Sequence, residues 1–313
     1  MLPNSEIITK AAERILPYIH RTPVITSQRM NKLLNADLYF KCENLQKAGA
    51  FKTRGAVNAV FSLAEQEYTN GVATHSSGNH AQALARAASL RGIKAYIVMP
   101  EDSSKVKIEA VKAYGGFITF CKPTLEARET TLAIVIEKTR ATEIHPYNDY
   151  RIIAGQATAA MEFFEQTPAL DIIMTPVGGG GLLSGTALAT SFFSPLTKVI
   201  AAEPEQANDA FQSFYSASFI PSLNANTIAD GLRTSLGDKT FPIIQQYVHQ
   251  IVTVSENSIV EAMRLVWEST KLLIETSSAV PIAALIEKKF DFEGQKLGII
   301  ISGGNVDLDN LPW

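Results

Sequence analysis

The sequence predicts an α/β protein with two doubly wound, mostly parallel, three-layer lobes. Short apolar segments rich in β-branched residues alternate with segments of helical periodicity through most of the 313 residues. The short segments are apolar throughout, which is typical of parallel strands that helices cover on both faces. A complete β–α series stands on either side of about residue 148, so we expect a ligand at the strand ends between the lobes.

The first half of the chain supplies one helix and then alternating strands and helices. Asn4 or Ser5 caps an amphipathic helix whose apolar residues repeat at helical spacing from Ile7 to Leu16. Strands are predicted over residues 38–42, 72–75, 95–99 and 117–121. Helices are predicted from Phe51 through Leu63 and over residues 79–90, 104–113 and 124–139.

The second half continues this alternation. A helix over residues 152–164 leads to a strand over residues 171–176, a glycine-rich turn and a helix over residues 182–189. Further strands are predicted over residues 199–202, 251–254 and 297–301, with a long helix over residues 255–274. The sequence contains neither a low-complexity linker nor a repeat of solenoid period.

Composition excludes several classes of function. The chain has 46% hydrophobic residues, 19% charged residues and a formal net charge of −3. It has no Lys/Arg tract, so nucleic acid is not an expected partner. No apolar segment approaches the ~20 residues of a membrane span, and the first residues lack the regions of a signal peptide. Cys42 and Cys121 form neither a metal-binding spacing nor a disulfide framework, so we expect a cytosolic protein without a membrane partner.

Four consecutive glycines follow the strand predicted over residues 171–176. Because they lack Cβ atoms, Gly178, Gly179, Gly180 and Gly181 can turn sharply and direct successive backbone N–H groups at one point. The positive end of the following helix faces the same point, which favours a phosphate group. The alternative is a structural turn that only needs positive φ angles.

A dinucleotide is the strongest competing ligand for this loop. Glu203 stands near the offset of the acid that binds the ribose in Rossmann proteins. The Gly-x-Gly-x-x-Gly fingerprint is broken, however, because Leu183 and Ser184 stand where a third glycine is required. A nicotinamide- or flavin-dependent oxidoreductase therefore remains an alternative from a different class. The sequence has no nucleophile elbow, Walker loop, His-Glu-x-x-His motif or zinc-like histidine spacing.

Lys52 and two polar segments provide the candidate chemistry. A lysine that is partly buried or lies near another cation, here Arg54, has a lowered pKa and can attack a carbonyl. Taken alone, such a lysine is more often solvated at the surface. Residues 75–80 offer hydroxyls, an amide and helix N–H groups to a substrate carboxylate, or simply cap a helix. Residues 302–305 follow the last predicted strand.

Together these motifs resemble the fold-type-II pyridoxal-phosphate (PLP) enzymes, in the branch of serine racemase and the serine/threonine dehydratases. The matching segments cover the chain nearly end to end and in family order: residues 51–56, 76–80, 145–146, 153–156, 177–182, 227–231 and 302–307. The resemblance implies a fold like that of the tryptophan synthase β-subunit. It also implies a large PLP-binding domain over residues 1–70 and 148–313, and a small domain over residues 71–147.

The resemblance implies a role for each motif. Lys52 would form the Schiff base with the pyridoxal aldehyde. The phosphate would be bound by the four glycines and the Leu182 amide, and the ring by Phe51, Asn79 and Ser302. Because Ser302 is neutral, the pyridine nitrogen would stay unprotonated, which suits elimination or racemisation better than transamination. The substrate carboxylate would be bound by Ser76, Ser77, Asn79 and His80, with Arg128 as a neighbour.

The same resemblance implies the reaction. Lys52, displaced by the substrate amine, would remove the α-proton on one face. Loss of a β-hydroxyl would then give a 2-oxo acid and ammonia, whereas reprotonation on the opposite face would give the D-amino acid. Ser77 is the candidate base on that opposite face, since ordinary threonine dehydratases typically have alanine at this position.

Residues 203–209 resemble the divalent-metal site of the same branch. The carboxylates of Glu203 and Asp209 and the carbonyl of Ala207 are hard oxygen donors that suit Mg²⁺ or Ca²⁺, with Mn²⁺ as a further choice. Without the resemblance, these two acids would be interpreted as a charge pair at a helix N-terminus.

The expected function is a PLP-dependent serine racemase that also dehydrates L-serine and L-threonine, acting as a homodimer. A dehydratase for threo-3-hydroxyaspartate or L-threonine is the first alternative, and a catalytically silent PLP-binding protein is another. Two segments depart from the family pattern. Residues 275–279 replace the usual Glu-Pro-Thr-Gly or Glu-Pro-Thr-Ala, and residues 147–149 leave the substrate side chain open. The chain ends soon after the last motif, so we expect no regulatory domain.

Overall fold

Two separate sheets form the frame of the molecule. The computed structural model describes residues 1–76, 78–103, 105–223 and 225–313. Its strands are β1 (Val24–Ile25), β2 (Asp37–Cys42), β3 (Val72–His75), β4 (Ala95–Pro100), β5 (Phe117–Cys121), β6 (Thr142–Glu143), β7 (Ile172–Pro176), β8 (Lys198–Pro204), β9 (Gln250–Val254) and β10 (Lys296–Ile301).

The strands pair in parallel. Within the described ranges, the larger sheet has the order β1-β2-β10-β7-β8-β9 and the smaller sheet the order β5-β4-β3-β6. Only β1 runs antiparallel to its neighbour, β2, among these pairs. The α/β class predicted from the alternating apolar segments is therefore confirmed.

The helices connect these strands. They are α1 (Ser5–Ile15), α2 (Gln28–Leu34), α3 (Lys52–Ser62), α4 (Glu65–Tyr68), α5 (Asn79–Arg91), α6 (Lys105–Ala113), α7 (Leu125–Thr139), α8 (Tyr150–Gln166), α9 (Gly181–Phe193), α10 (Asp209–Ser216), α11 (Thr240–Tyr247), α12 (Glu256–Thr270) and α13 (Thr276–Ile286). In the described part of the chain, none of them combines the length and the apolar character that crossing a membrane requires.

Both sheets are covered by helices on both faces. Successive residues of β7 point to opposite sides, so Met174 packs with Ile282 of α13 while Ile173 packs with Leu183 of α9. In the smaller sheet, α3 and α5 cover one face and α7 covers the other. The three-layer arrangement was expected, but α3 belongs to the core of the smaller sheet, so the domain division near residue 70 stays a prediction.

Most predicted elements are present, with small differences at their ends. Asn4 caps α1, because its Oδ1 accepts a hydrogen bond from the Ile7 N–H at 2.9 Å. The helix expected over residues 255–274 ends at Thr270, because Lys271 is left-handed with a φ of 63°. Ser104, the expected first residue of another helix, lies outside the described residues.

Candidate active site

The carboxyl ends of parallel strands from both sheets meet at one cleft. The glycine loop follows β7, Ser302 follows β10, and the segment of Ser76 and Asn79 follows β3. Lys52 reaches the same cleft, because the Phe51 N–H donates to the Ser302 carbonyl at 3.0 Å at the start of α3. The topology thus brings together motifs that lie far apart in the sequence.

Lys52 is oriented by a single hydrogen bond. Its Nζ donates to the Pro146 carbonyl at 2.8 Å and lies 5.2 Å from the centroid of the Phe51 ring. Burial lowers the pKa of Lys52 to about 8, although the Glu275 carboxylate acts in the opposite direction. A useful fraction of the amine is therefore uncharged near neutral pH, as a nucleophile or a general base requires.

The glycine loop is shaped by close neighbours as well as by backbone conformation. Only Gly180 of the four has a positive φ, at 84°. A Cβ on Gly179 would lie 2.3 Å from the Tyr147 ring, and one on Gly181 would lie 2.8 Å from the Tyr147 Cβ. A Cβ on Gly178 would lie 2.9 Å from the Leu232 backbone. A turn that needs positive φ angles therefore explains why Gly180 is a glycine. The other three are glycines because neighbouring residues leave no room for a side chain.

The loop has the features of an anion site. Gly181 is the first residue of α9, so the unbonded N–H groups of that helix lie at the loop. All four glycines and Leu182 are buried, and neighbouring atoms leave no room for a Cβ at any of the four glycines. The N–H groups at this end of α9 suit the phosphate group of a bound cofactor.

Asn79 and Glu275 form a second part of the cleft. Asn79 Nδ2 donates to the two Glu275 carboxylate oxygens at 2.9 and 3.1 Å, and Asn79 Oδ1 accepts from Asn305 Nδ2 at 2.9 Å. Burial raises the pKa of Glu275 to about 7, and the nearby Asp230 carboxylate adds to the increase. Sequence reasoning noted Glu275 only as part of a divergent segment. The signal that could have identified Glu275 as a site residue is its position as a single acid before an apolar segment.

Neutral histidines line the small-sheet side of the cleft. His80 is buried, and its Nε2 lies 3.1 Å from the Ile144 carbonyl, which assigns the ring proton to Nε2. Burial lowers the pKa of His75 and of His145 to about 4, and it holds the pKa of His80 well below 6.5. His145 Nδ1 accepts from the Asn148 N–H at 2.9 Å. These rings are therefore hydrogen-bonding groups without charge.

The structure describes only some of the residues expected to bind the substrate. Ser76 Oγ accepts from the Gly78 N–H at 3.3 Å, close to the N-terminus of α5. Arg128 is half-buried, and its Nε has no partner among the described residues. Ser77, the expected second base, lies outside those residues.

Ser302 lies at the end of β10 with its side chain in a hydroxyl pair. Its Oγ is 2.9 Å from Ser278 Oγ, and both residues are buried. Ser278 Oγ also contacts the Gly303 carbonyl and accepts from the Gly303 N–H, each at 2.8 Å. A short network thus surrounds the Ser302 hydroxyl.

The residues expected to bind a metal are buried oxygen donors. Glu203 accepts from the N–H groups of Ala210 and Phe211 at 3.1 and 2.8 Å, so it caps α10. Neither carboxylate oxygen of Asp209 has a hydrogen-bond partner in the described ranges. Burial raises the pKa of Asp209 to about 6, and burial with the Asp209 charge raises that of Glu203. The orphaned Asp209 oxygens fit a hard cation.

The described residues contain no cluster of three or more Asp, Glu, His and Cys side chains that could hold a metal. The expected site has two such side chains and the carbonyl of buried Ala207. It therefore has one acidic side chain fewer than such a cluster.

Comparison with known proteins identifies the family of this chain. A family model described as "Pyridoxal-phosphate dependent enzyme" matches residues 15–303. The chain is 49% identical to the beta-hydroxyaspartate dehydratase of Paracoccus denitrificans (strain Pd 1222), covering 100% of this chain and 99% of the relative.

Solved structures resemble the whole fold. Serine racemase from Dictyostelium discoideum is 50% identical with a TM-score of 0.93, covering 97% of this chain and 99% of that one. Maize serine racemase is 45% identical with a TM-score of 0.96, covering 99% and 95%. A threonine deaminase from T.th. is 40% identical with a TM-score of 0.92, covering 98% and 99%. These relatives catalyse different reactions on one fold.

Proposed function

The chain belongs to the family of pyridoxal-phosphate-dependent enzymes, and we propose that it is a serine racemase that also dehydrates L-serine and L-threonine. Lys52 carries this proposal. Its amine lies in the cleft between the glycine loop and Ser302, with a pKa lowered by burial to about 8. An amine of this kind is what a covalently attached pyridoxal cofactor requires.

The residues present fit the cofactor. The glycine loop and the Leu182 N–H would bind its phosphate, while Phe51, Asn79 and Ser302 would contact its ring. Bound there, PLP would supply an electron sink that acidifies the α-proton of an attached amino acid. The neutral Ser302 favours an unprotonated pyridine nitrogen, which limits that sink and suits proton transfer and β-elimination.

Lys52 would act as the base on one face of the substrate. The Pro146 carbonyl orients its amine, and burial keeps the uncharged form accessible near neutral pH. We assign the opposite face to Ser77, whose hydroxyl would return the proton to give the D-enantiomer.

The N-terminus of α5 would bind the substrate carboxylate. Ser76, Asn79 and His80 lie at that end of the helix, where the N–H groups of the first turn attract an anion. We assign Ser77 to the same carboxylate. Because the His80 Nε2 proton is directed at the Ile144 carbonyl, His80 would contribute through its backbone N–H.

A threo-3-hydroxyaspartate dehydratase is the second candidate, and Arg128 supports it. A half-buried guanidinium with an unpartnered Nε suits the distal carboxylate of such a substrate, which serine and threonine lack. The Paracoccus relative bears the name of this activity. An L-threonine ammonia-lyase is supported by the name of the threonine deaminase from T.th., at the lower identity of 40%.

The proposal includes a structural cation and a homodimer. Glu203, Ala207 and Asp209 would bind Mg²⁺, Ca²⁺ or Mn²⁺ through oxygen atoms, and exhaustive chelation should then lower activity and thermal stability together. Activity and stability unchanged by chelation would remove the cation from the proposal. Sedimentation of the holoenzyme would test the dimer, and imaging a tagged chain would test its cytoplasmic location.

The first experiment is spectroscopic. Purified protein should show a visible cofactor absorbance, and Lys52→Ala should abolish it while leaving the fold intact by circular dichroism. A protein that neither carries PLP nor takes it up would overturn the assignment.

Chiral product analysis then separates the candidates. L-serine should give D-serine and pyruvate, and Ser77→Ala should remove D-serine while retaining part of the pyruvate. Racemisation at full rate in Ser77→Ala would exclude Ser77 as the second base. Arg128→Met should raise KM for threo-3-hydroxyaspartate about 10- to 100-fold, as loss of a charged hydrogen bond predicts. Because serine has no distal carboxylate, its KM is the internal control.

A further inference from the structure

Ser278 is a buried hydroxyl beside the residue assigned to the cofactor ring. It lies in the first turn of α13 and is 0% exposed. Its Oγ lies 2.9 Å from Ser302 Oγ and 2.8 Å from both the N–H and the carbonyl of Gly303. A glycine or an alanine would leave the Ser302 hydroxyl without this partner.

The backbone holds both hydroxyls in place. The Ser302 carbonyl accepts from the Phe51 N–H at 3.0 Å, and the Glu275 N–H donates to the Gly303 carbonyl at 3.1 Å. The Ser278 N–H in turn donates to the Glu275 carbonyl at 3.0 Å. These bonds tie the start of α13 to the end of β10, so the two side chains face each other at a fixed separation.

A count of protons limits what this network can do. Ser278 Oγ accepts the Gly303 N–H and has one proton to give, either to the Gly303 carbonyl or to Ser302. The carbonyl is the stronger acceptor. When Ser278 donates to it, the Ser278 oxygen has a lone pair free for the Ser302 proton. Ser278 therefore competes for the proton that Ser302 would otherwise direct at the pyridine nitrogen.

We propose that Ser278 is a positioning residue that weakens the hydrogen bond from Ser302 to the cofactor ring and so reduces the electron demand of the ring. This inference rests on the proposed function, because it assumes that PLP is bound with its pyridine nitrogen at Ser302. The chemical effect acts entirely through Ser302.

The experiment compares the wild-type holoenzyme with Ser278→Ala, loaded with PLP labelled with ¹⁵N in the pyridine ring. In the variant, the Ser302 hydroxyl loses its one hydrogen-bond partner among the described residues. Its proton can then turn to the ring nitrogen, so the ¹⁵N resonance should move upfield, as hydrogen bonding to a pyridine nitrogen causes. Exchange of the substrate α-proton with solvent deuterium should become about three- to fivefold faster, as expected for one neutral hydrogen bond.

Two further variants separate positioning from packing. Ser277→Ala removes a hydroxyl that is equally buried but bonds to the Gly231 N–H at 3.1 Å, and it should leave the ¹⁵N resonance unchanged. In a Ser302→Ala background, Ser278→Ala should have no further effect on the resonance or the exchange rate, because the Ser302 hydroxyl through which Ser278 acts is absent.

The outcomes distinguish this inference from the proposed function. If the wild-type protein binds no PLP, the proposed function fails. If PLP binds through Lys52 and Ser278→Ala leaves the resonance and the exchange rate unchanged, only the role of Ser278 is overturned. An equal effect of Ser278→Ala with and without Ser302 would likewise overturn it.

Discussion

Glu43 and Glu203 are both fully buried carboxylates, but their surroundings differ in charge. Glu43 is bonded by Arg54 at 2.7 and 2.8 Å, and Lys41 and Glu162 complete a cluster of two cations and two anions. Although burial acts to raise it, the Arg54 guanidinium brings the pKa of Glu43 below its ordinary value. Among the described residues, Glu203 accepts hydrogen bonds from backbone N–H groups alone, and its neighbour Asp209 is a second anion.

The difference shows that the fold tolerates buried carboxylates in two ways. Near Lys52, the Arg54 cluster (Lys41, Glu43, Arg54 and Glu162) contains two cations that balance its two carboxylates. At Glu203 and Asp209, burial raises both carboxylate pKa values, and the described residues place no cation beside them. The Arg54 cluster is therefore structural, whereas the pair of Glu203 and Asp209 would be balanced by a cation from solution.

The largest effect is expected from breaking the Arg54 cluster. Arg54→Met would leave Glu43 and Glu162 with Lys41 as the only nearby cation, so the free energy of unfolding should fall by about 3–5 kcal/mol. Urea unfolding measures this change. Arg29→Met is the matched control, because its ion pair with Glu268 is 60% and 54% exposed and should contribute less than ~1 kcal/mol. Equal losses in the two variants would contradict the comparison.

The next effect concerns the uncompensated pair. At 100 times its Kd, Mg²⁺ should stabilise the wild-type protein by about 2.7 kcal/mol, and Asp209→Asn should lose most of this gain. In chelator, the same variant should be at least as stable as wild type, because it removes a buried charge without a partner. Glu205→Gln, at a half-exposed neighbouring acid, is the control and should keep the response. A response to Mg²⁺ that survives in Asp209→Asn would refute the site.

A third test compares two cations on the same helix. Arg54 has carboxylate partners, whereas Lys52 has a carbonyl partner and a pKa of about 8. The rate at which the apoprotein captures PLP should therefore rise about tenfold per pH unit below pH 8 and level off above it. Development of the visible absorbance measures this rate. A midpoint near 10.4, the value of an ordinary lysine, would show that burial does not activate the amine.

The smallest effect is expected where burial involves no charge. Tyr147 OH lies 2.9 Å from Thr234 Oγ1, and the Tyr147 ring fills the space beside Gly179. Tyr147→Phe keeps the ring and loses one neutral hydrogen bond, so the free energy of unfolding should fall by about 1 kcal/mol. PLP affinity should be nearly unchanged. A loss as large as that of Arg54→Met would mean that charge is not what separates these regions.

The sequence predicted the strands well because buried parallel strands are continuous apolar runs. It did not predict α13, because Pro281 lies inside that helix and signals an interruption. Ser278, Val280 and Pro281 are all buried, and this packing stabilises the helix. Tertiary packing therefore outweighs the helix-breaking tendency of Pro281, which is the signal that a prediction from sequence relies on.

The motifs identified which residues belong to the cleft but not how they contact one another. Lys52 bonds to Pro146, 94 residues away, and Asn79 bonds to Glu275, 196 residues away. Such pairs follow from the order of strands in the sheets, and local periodicity contains no information about that order. The hydroxyl pair of Ser278 and Ser302 could not be predicted from the sequence for the same reason.

The position of β10 affects the order in which the chain can fold during synthesis. β10 lies between β2 and β7 in the larger sheet, although it is the last strand to leave the ribosome. Until residues 296–301 emerge, β2 has no strand that pairs it with the β7-β8-β9 half of the sheet, whereas β3 to β6 are contiguous and can pair early. A premature stop before Lys296 would therefore leave two open sheet edges exposed to aggregation.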